Sequence, residues 1–508
     1  MPPLLRFSFA LGLQVLFLAA LNLFDDWTLE EMPVRFVACG LASGLAFLWA
    51  VGLFPTSLSR GQQALLFWSV AVVLRLIALP IEVGDDFWRY QWEGKVQNAG
   101  FNPYIQAPDA PELAQVREEF PDFSKINHRH FRAIYPPGAE LIFATLTRIS
   151  DSPLLYKLLF TGADLATAAL LLLLIHGPAR YAAAACYAWN PLVVYCFAGA
   201  AHFDSLMILP MMAAILLLTK VEPRRSRRSP HPSLLPEREG AAGKLPLSAP
   251  APDAVPSPAA TRDSPLSVSP RAAAPSPGGE RVGVRANRTS TTAAQWLLAT
   301  AAAALFGVAI SIKLIPLLLL PLAAFALGRR ALVLLLSLAV PAALSLLYGY
   351  PQVPIWESLG NFAHVTRLND LFWWLIEETA WPNPRQKNYR YNVIIIAAVC
   401  LVSLVFYRNW RRGMLWVLGT AIILTPVLHP WYLTWLLPFA AWRRVEPWLV
   451  LSISLFAYFL FWNERLFLLP WRSELWLRAI IMIPPLLSLL FYLLRERASP
   501  PPPAPAPP

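Results

Sequence analysis

Two adjacent carboxylates, Asp85 and Asp86, open the run Asp85-Asp86-Phe87-Trp88-Arg89-Tyr90-Gln91-Trp92-Glu93-Gly94. Like charges set side by side raise one another's proton affinity, which suits one of them to work as a general base. Arg89 follows Asp86 by one helical turn, and a guanidinium fork matches a phosphate leaving group. If Asp86 to Val96 is helical, then Asp86, Arg89 or Tyr90, and Glu93 share one face. Asp86 is favoured as the base because a single turn places it beside Arg89. Phe87, Trp88 and Trp92 suit a helix lying at the headgroup level of a membrane, where aromatic rings settle. Gly94 and Gly100 loosen that helix, and Asn102-Pro103 forces a turn. A plainer reading is an interfacial helix with solvated charges, but it gives no reason for two adjacent acids with an arginine one turn on.

The elements that hold these residues belong in a membrane. The chain of 508 residues is 56% hydrophobic and only 14% charged, with a mean hydropathy of +0.48. Soluble domains carry about 25% charged residues. A helix needs roughly 20 apolar residues to cross the hydrocarbon. Apolar windows run over 4–23, 34–54, 65–81, 138–149, 154–175, 181–199 and 203–220, and then over 295–310, 314–327, 331–348, 391–407, 414–427, 431–442, 447–462 and 475–494. The first lacks a convincing small-residue cleavage site and reads as a span, not a signal peptide. The expected fold is all-α, a polytopic bundle of thirteen or fourteen spans with a large first extracytoplasmic loop.

Charge orients the bundle. Arg6, Arg224 to Arg228, Arg329-Arg330, Arg408 to Arg412, Arg443-Arg444 and Arg495 to Arg497 flank alternate loops. The positive-inside rule puts them, and both termini, in the cytoplasm. Residues 82–137, 349–390, 429–430 and 463–474 are then outside. One conflict remains, because four apolar windows separate the first outer loop from the basic break where an odd number must cross. The shortest, 138–149, is the one expected to lie shallow. The net charge of +11 sits in these short clusters, which argues against nucleic-acid binding. Cys39, Cys186, Cys196 and Cys400 lie in apolar stretches without metal-ligand spacing and read as buried free thiols.

Residues 221–292 are of another material, with 13 prolines and 11 Lys/Arg against 6 Asp/Glu, and almost no aromatic side chains. Such a segment cannot bury enough surface to offset its chain entropy. The chain therefore divides into an N-terminal membrane half, 1–220, carrying the 82–137 loop; a disordered cytoplasmic insertion, 221–292; a C-terminal membrane half, 293–498; and a Pro-rich tail, 499–508.

The acid run, together with Gly100-Phe101-Asn102-Pro103-Tyr104 and Tyr135-Pro136-Pro137, resembles the GT-C glycosyltransferases. It is most similar to the bacterial mannosyltransferase-like members that use polyprenyl-phosphate sugars. Trp189-Asn190-Pro191, His202-Phe203-Asp204-Ser205, Lys313 to Pro316 and His429-Pro430-Trp431-Tyr432 extend the resemblance over most of the chain outside the insertion. It implies a catalytic acid in the first outer loop, here Asp85 or Asp86, and a lipid-facing groove built by the later helices. Glu93 stands where the family pattern has Asp before the glycine. The residues implied to bind substrate are Arg75, Arg89, Tyr90, Glu93, Asn102, Tyr104, Tyr135, His202, Asp204, Lys313, His429 and Tyr432.

Several of these have plainer readings. Arg75 and Asp164 lie within spans, where a charge costs about 2.5–3.5 kcal/mol, and can pair with one another. Asp204 can cap a helix. Lys313 can snorkel to the surface, and the His429 block can be part of an aromatic belt. His128 and His130 with Asp85 and Asp86 leave a divalent metal ion open as a cofactor, although the spacing matches no ligand motif.

The expected function is transfer of a hexose, mannose for preference, in an inner (plasma) membrane. The donor is a polyprenyl-phosphate sugar, the acceptor a hydroxyl of a glycan, lipid or protein, and the stereochemistry inverting. The active site faces the periplasm or cell exterior. Such a donor needs no nucleotide motif. A transporter or lipid flippase is the alternative, with the same charges lining a path. The inverted repeats that would favour it are not visible. A non-catalytic partner of polysaccharide assembly is a third reading.

Overall fold

The computed structural model describes residues 2–26, 31–221, 279–385, 387–460 and 474–498. Among the described residues the chain is helical, with no strand beyond an isolated bridge between Leu368 and Val427. Among the described residues, seven helices are long and apolar enough to cross a membrane: Pro3–Leu23, Met32–Gly52, Arg60–Ala78, Pro153–Leu174, Thr292–Ile312, Ile315–Leu347 and Leu475–Arg495. Counting two bent pairs as one span each raises this to nine. Arg180–Ala188 meets Pro191–Gly199 at 47°, and Tyr389–Val405 meets Tyr407–Leu424 at 75°. The all-α, polytopic fold stands.

The count is lower than thirteen or fourteen for local reasons. Windows 314–327 and 331–348 form one apolar run, Ile315–Leu347, counted once by length although Gly328, at φ +54°, breaks the helix beside Arg329-Arg330. Window 431–442 breaks into Pro430–Leu433 and Leu437–Arg443, each with a proline in its first turn, where proline starts a helix but cannot continue one. Ser205–Val221 and Pro447–Leu460 are apolar but shorter.

The chain divides into Met1–Glu222 with Gln295–Pro508 as one unit and Pro223–Ala294 as another. The expectation of disorder over 221–292 falls mostly on 222–278, outside the described residues, as do the 499–508 tail and most of the 463–474 loop. Its last part is helical instead, because the Gly279–Ile312 helix begins well before the span. The prolines stop at Pro277, so nothing prevents the helix from extending backwards.

At 13 residues, Pro137–Ile149 is shorter than the roughly 20 a crossing needs. This helix packs beside the Asp85–Asn98 helix and belongs to the loop layer. Three apolar windows then separate the first loop from the basic break. Gly94 makes the packing possible: a Cβ there would meet the Phe143 carbonyl oxygen at 2.4 Å. The sequence suggested that Gly94 loosens the helix, yet it lies mid-helix as a contact residue. Alanine is worth about 1 kcal/mol more than glycine in a helix. The clash is with backbone, so it should outweigh that gain, and Gly94→Ala is expected to lower stability by about 1–3 kcal/mol. Thermal unfolding in detergent checks this, and a raised midpoint would show that the two helices are not in tight contact.

The helix ends where expected. Gly100, at φ +88°, follows the C-cap, and the amides of Gly100 and Phe101 return to the Gln97 and Val96 carbonyls. Phe87, Trp88 and Trp92 are not free to lie among headgroups, because all three are buried within the protein. Phe87 packs edge-on to Tyr156, and Trp92 sits against Phe120 and Phe123. Residues 111–125 form short helices that roof this face.

Candidate functional site

A backbone tie sets the position of the two acids. The Gly84 amide donates to the Ala200 carbonyl at 2.9 Å, joining the start of the Asp85–Asn98 helix to a π-turn at Tyr195–Gly199. That turn follows the break at Trp189-Asn190-Pro191, where the Asn190 carbonyl side-chain oxygen caps the Leu192 amide. Asp85 and Asp86 then occupy the first helical turn, where unpaired backbone amides favour anions. The Asn127 side-chain amide donates to both, at 3.2 Å to Asp85 and 3.0 Å to Asp86.

Burial, then the Asp85 charge, push the Asp86 carboxyl from the ordinary carboxylate range up to about 7. The Asn127 hydrogen bond and the Lys313 charge act the other way without prevailing. Asp86 therefore gains and loses a proton near neutrality, as a general base or acid should. Its side chain is half-buried and faces open space.

That space is a cavity of about 760 Å3. The acids, Arg89, Tyr90, Asn127 and Tyr135 line one side, Lys313 to Ile315 another. Residues 358–367 and the His429–Trp435 stretch complete it. Loops that charge assigns to one side of a membrane thus surround a single cavity. Its lining is mostly apolar, with Lys313, Arg89, Arg132 and Arg367 as cations. An apolar space with a few convergent charges suits a lipid with an anionic head.

Lys313 is bonded to the fully buried Asp204 carboxylate. Phe203, Tyr432 and Trp435 surround its ammonium at 4.8, 5.5 and 5.0 Å from their ring centres. Trp431 is stacked between two histidines, with His202 at 3.9 Å and His429 at 4.4 Å between ring centres. His429 meets the Tyr458 hydroxyl through Nδ1 at 3.1 Å.

Residues 20–329 match the family described as alpha-(1->6)-mannopyranosyltransferase, N-terminal domain (MptA_B family). The chain belongs to this family. It is a GT-C-type mannosyltransferase family, and together with the apolar helices this makes the protein a multi-pass membrane glycosyltransferase. No curated protein and no solved structure matches the chain.

The residues singled out in this mannosyltransferase fall into two groups. Asp85, Asp86, Arg89, Tyr90, Tyr135, Lys313, His429 and Tyr432 line the cavity. His202 and Asp204 stand directly behind it, in contact with Trp431 and Lys313. Asp204 is not acting as a side-chain cap: its Oδ1 takes the Lys313 ammonium and the Trp435 indole N–H.

The others are placed to support the site from outside. Arg75 and Asp164 form a buried pair, with the Arg75 guanidinium also donating to the Ala71 and Ala188 carbonyls. The pairing seen as one option in sequence is the one present. Glu93 bonds Arg89 at 2.6 Å, and Arg89 further donates to the His128 and Phe131 carbonyls. The turn-back of Arg89 towards Glu93 removes the sequence argument that favoured Asp86 over Asp85. Tyr104 donates to the Tyr135 carbonyl at 2.6 Å, and Asn102 to that of Tyr348 at 3.0 Å. These bonds brace the far end of the loop.

The grouping of His128 and His130 with the acids does not form, since His130 lies by Asp109 at 3.4 Å. Among the described residues no three His, Cys, Asp or Glu side chains are placed to hold a metal ion. Sequence reasoning missed Asn127, whose bond spans 41 residues and has no local pattern to reveal it. It also missed Arg367, which borders the cavity while held by Asp370 and Glu377. There the three-residue spacing of Arg367 and Asp370 was a visible signal.

Proposed function

We propose that the protein transfers mannose from a polyprenyl-phosphate donor to a hydroxyl acceptor, with inversion, using the Asp85–Asp86 pair as general base. The observation that carries this is the single cavity in which the acid pair faces Lys313 across a mostly apolar lining. The lipid lies along the apolar wall, and its phosphate meets Lys313, with Arg89 held nearby by Glu93. A carboxylate takes the acceptor proton as the hydroxyl oxygen bonds to the anomeric carbon. The anomeric carbon–oxygen bond breaks, and its electron pair leaves on the lipid phosphate. The family description adds an α-(1→6) linkage, which makes the acceptor group a primary C6 hydroxyl and, with inversion, the donor a β-linked sugar. Tyr90, Tyr135, His429 and Tyr432 offer faces and hydroxyls to the mannose ring. Membranes containing the protein, supplied with labelled polyprenyl-phosphate mannose or glucose, test this reading. Transfer from the mannose donor is expected, and transfer from neither donor would end the proposal.

The same reading puts the cavity on the extracytoplasmic side, because the arginine clusters flank the opposite loops. In a cysteine-free background, a cysteine at Asp109 should label from outside with an impermeant thiol reagent, and one at Arg408 only after permeabilisation. Labelling of both from one side would overturn the orientation.

A further inference from the structure

A second cavity, of about 680 Å3, lies on the other side of the acids. Asp85, Trp431 and Tyr458 border both spaces, whereas Asp86 and Lys313 border only the first. The second is more polar, and its charges differ in sign. Four carboxylates, Asp25, Asp26, Glu82 and Asp85, stand against one lysine, Lys125, which covers the Trp88 ring at 4.1 Å. The first cavity has two carboxylates against four cations. A lipid phosphate is therefore drawn to the first and repelled from the second.

An independent sign of a ligand is His202. It lines the second cavity and is only 3% exposed, yet its Nε2 makes no hydrogen bond among the described residues. That nitrogen lies beside Gly84, 3.4 Å from where a Cβ would stand, so the glycine leaves the approach open. The nitrogen is not among the fully enclosed unpartnered atoms, so it is open to a partner that enters the cavity. Burial, with the Lys313 and His429 charges, lowers the His202 pKa well below the usual imidazole value, so the ring is neutral and can bond a hydroxyl.

Resting on the function proposed above, we infer that the second cavity is the acceptor subsite and takes an uncharged, polyhydroxylated glycan end whose primary hydroxyl reaches Asp85. Carboxylates accept hydrogen bonds from sugar hydroxyls, and four of them border this space. The acceptor and the donor sugar then approach from opposite sides of the wall formed by Asp85, Trp431 and Tyr458. The acceptor C6–O–H gives its proton to Asp85 while its oxygen bonds to the donor's anomeric carbon. The departing electron pair stays on the phosphate beside Lys313.

The test measures initial rates with polyprenyl-phosphate mannose as donor and octyl α-D-mannopyranoside as acceptor, for wild type and for Asp26→Asn/Glu82→Gln. Both substituted residues are exposed, and neither takes part in the chemistry. The double variant is expected to raise the acceptor KM about tenfold while leaving the donor KM and kcat nearly unchanged. The corresponding octyl mannuronide, which carries a carboxylate, should not compete in wild type and should compete in the double variant. An unchanged acceptor KM, or a shift in the donor KM instead, overturns the assignment. Wild-type protein that transfers no mannose to any acceptor defeats the earlier proposal, whereas normal transfer with an unchanged acceptor KM defeats this one alone.

Discussion

Exchange of Asp85 or Asp86 for asparagine is expected to abolish mannosyl transfer in at least one of the two variants, at normal protein levels. A general base contributes roughly 10²–10⁴-fold, or about 3–5.5 kcal/mol of barrier. A carboxylate without function should cost within about 0.5 kcal/mol of stability on amidation. Asparagine keeps the shape and can still meet the Asn127 side chain that bridges the pair. Donor binding should therefore persist in the dead variant, because Lys313 is untouched.

The pH profile separates the two acids. The Asp86 carboxyl is protonated below about 7, so kcat/KM should fall roughly tenfold per pH unit on the acid side of that value. If Asp85→Asn stays active, its acid limb should move down only in part, because burial, the larger cause of the raised Asp86 value, remains when the Asp85 charge is gone. Full activity in both single variants and in the double variant would remove the acid-pair mechanism. A flat profile from about pH 5 to 8 would deny Asp86 the role of base and leave it to Asp85.

These acids were legible because they broke a pattern. Two like charges at a span's end are costly without a purpose, and Arg89 one turn on pointed to the proposed chemistry. The break at Trp189-Asn190-Pro191 was equally visible, since proline and a capping asparagine interrupt an apolar run. Periodicity, however, assigns faces within one element and says nothing about what covers them. Trp88 and Trp92 read as interfacial because the 111–125 roof has no apolar period of its own. Pro137–Ile149 could be singled out as shallow by its length alone, but its partner, the Asp85–Asn98 helix, had no signal in the sequence. Arg89 and Glu93 share a face as their spacing required, but that contact turned the guanidinium towards the framework. Asn127 had no signal at all, because its importance lies wholly in contacts with residues some forty positions away.

Lys313 carries the other large expected effect, and two variants are needed to read it. Lys313→Met removes the cavity's ammonium and leaves the Asp204 carboxylate fully buried without its ion-pair partner. Breaking such a pair from one side typically costs about 3–5 kcal/mol. The single variant should therefore be poorly folded, and its inactivity would say little about phosphate. Lys313→Met/Asp204→Asn removes both charges together and keeps a polar partner for the Trp435 indole N–H. Replacing both members of a buried pair is often close to neutral, so the double variant should recover most of the lost stability. It should not recover function. Without the ammonium, the departing phosphate loses a charge-assisted bond, and the donor KM should rise by at least about tenfold. Unfolding midpoints and donor kinetics for the two variants together distinguish the roles. A stable double variant with wild-type donor KM and kcat would show that Lys313 only neutralises Asp204, and the phosphate would have to be held by Arg89, Arg132 or Arg367 instead.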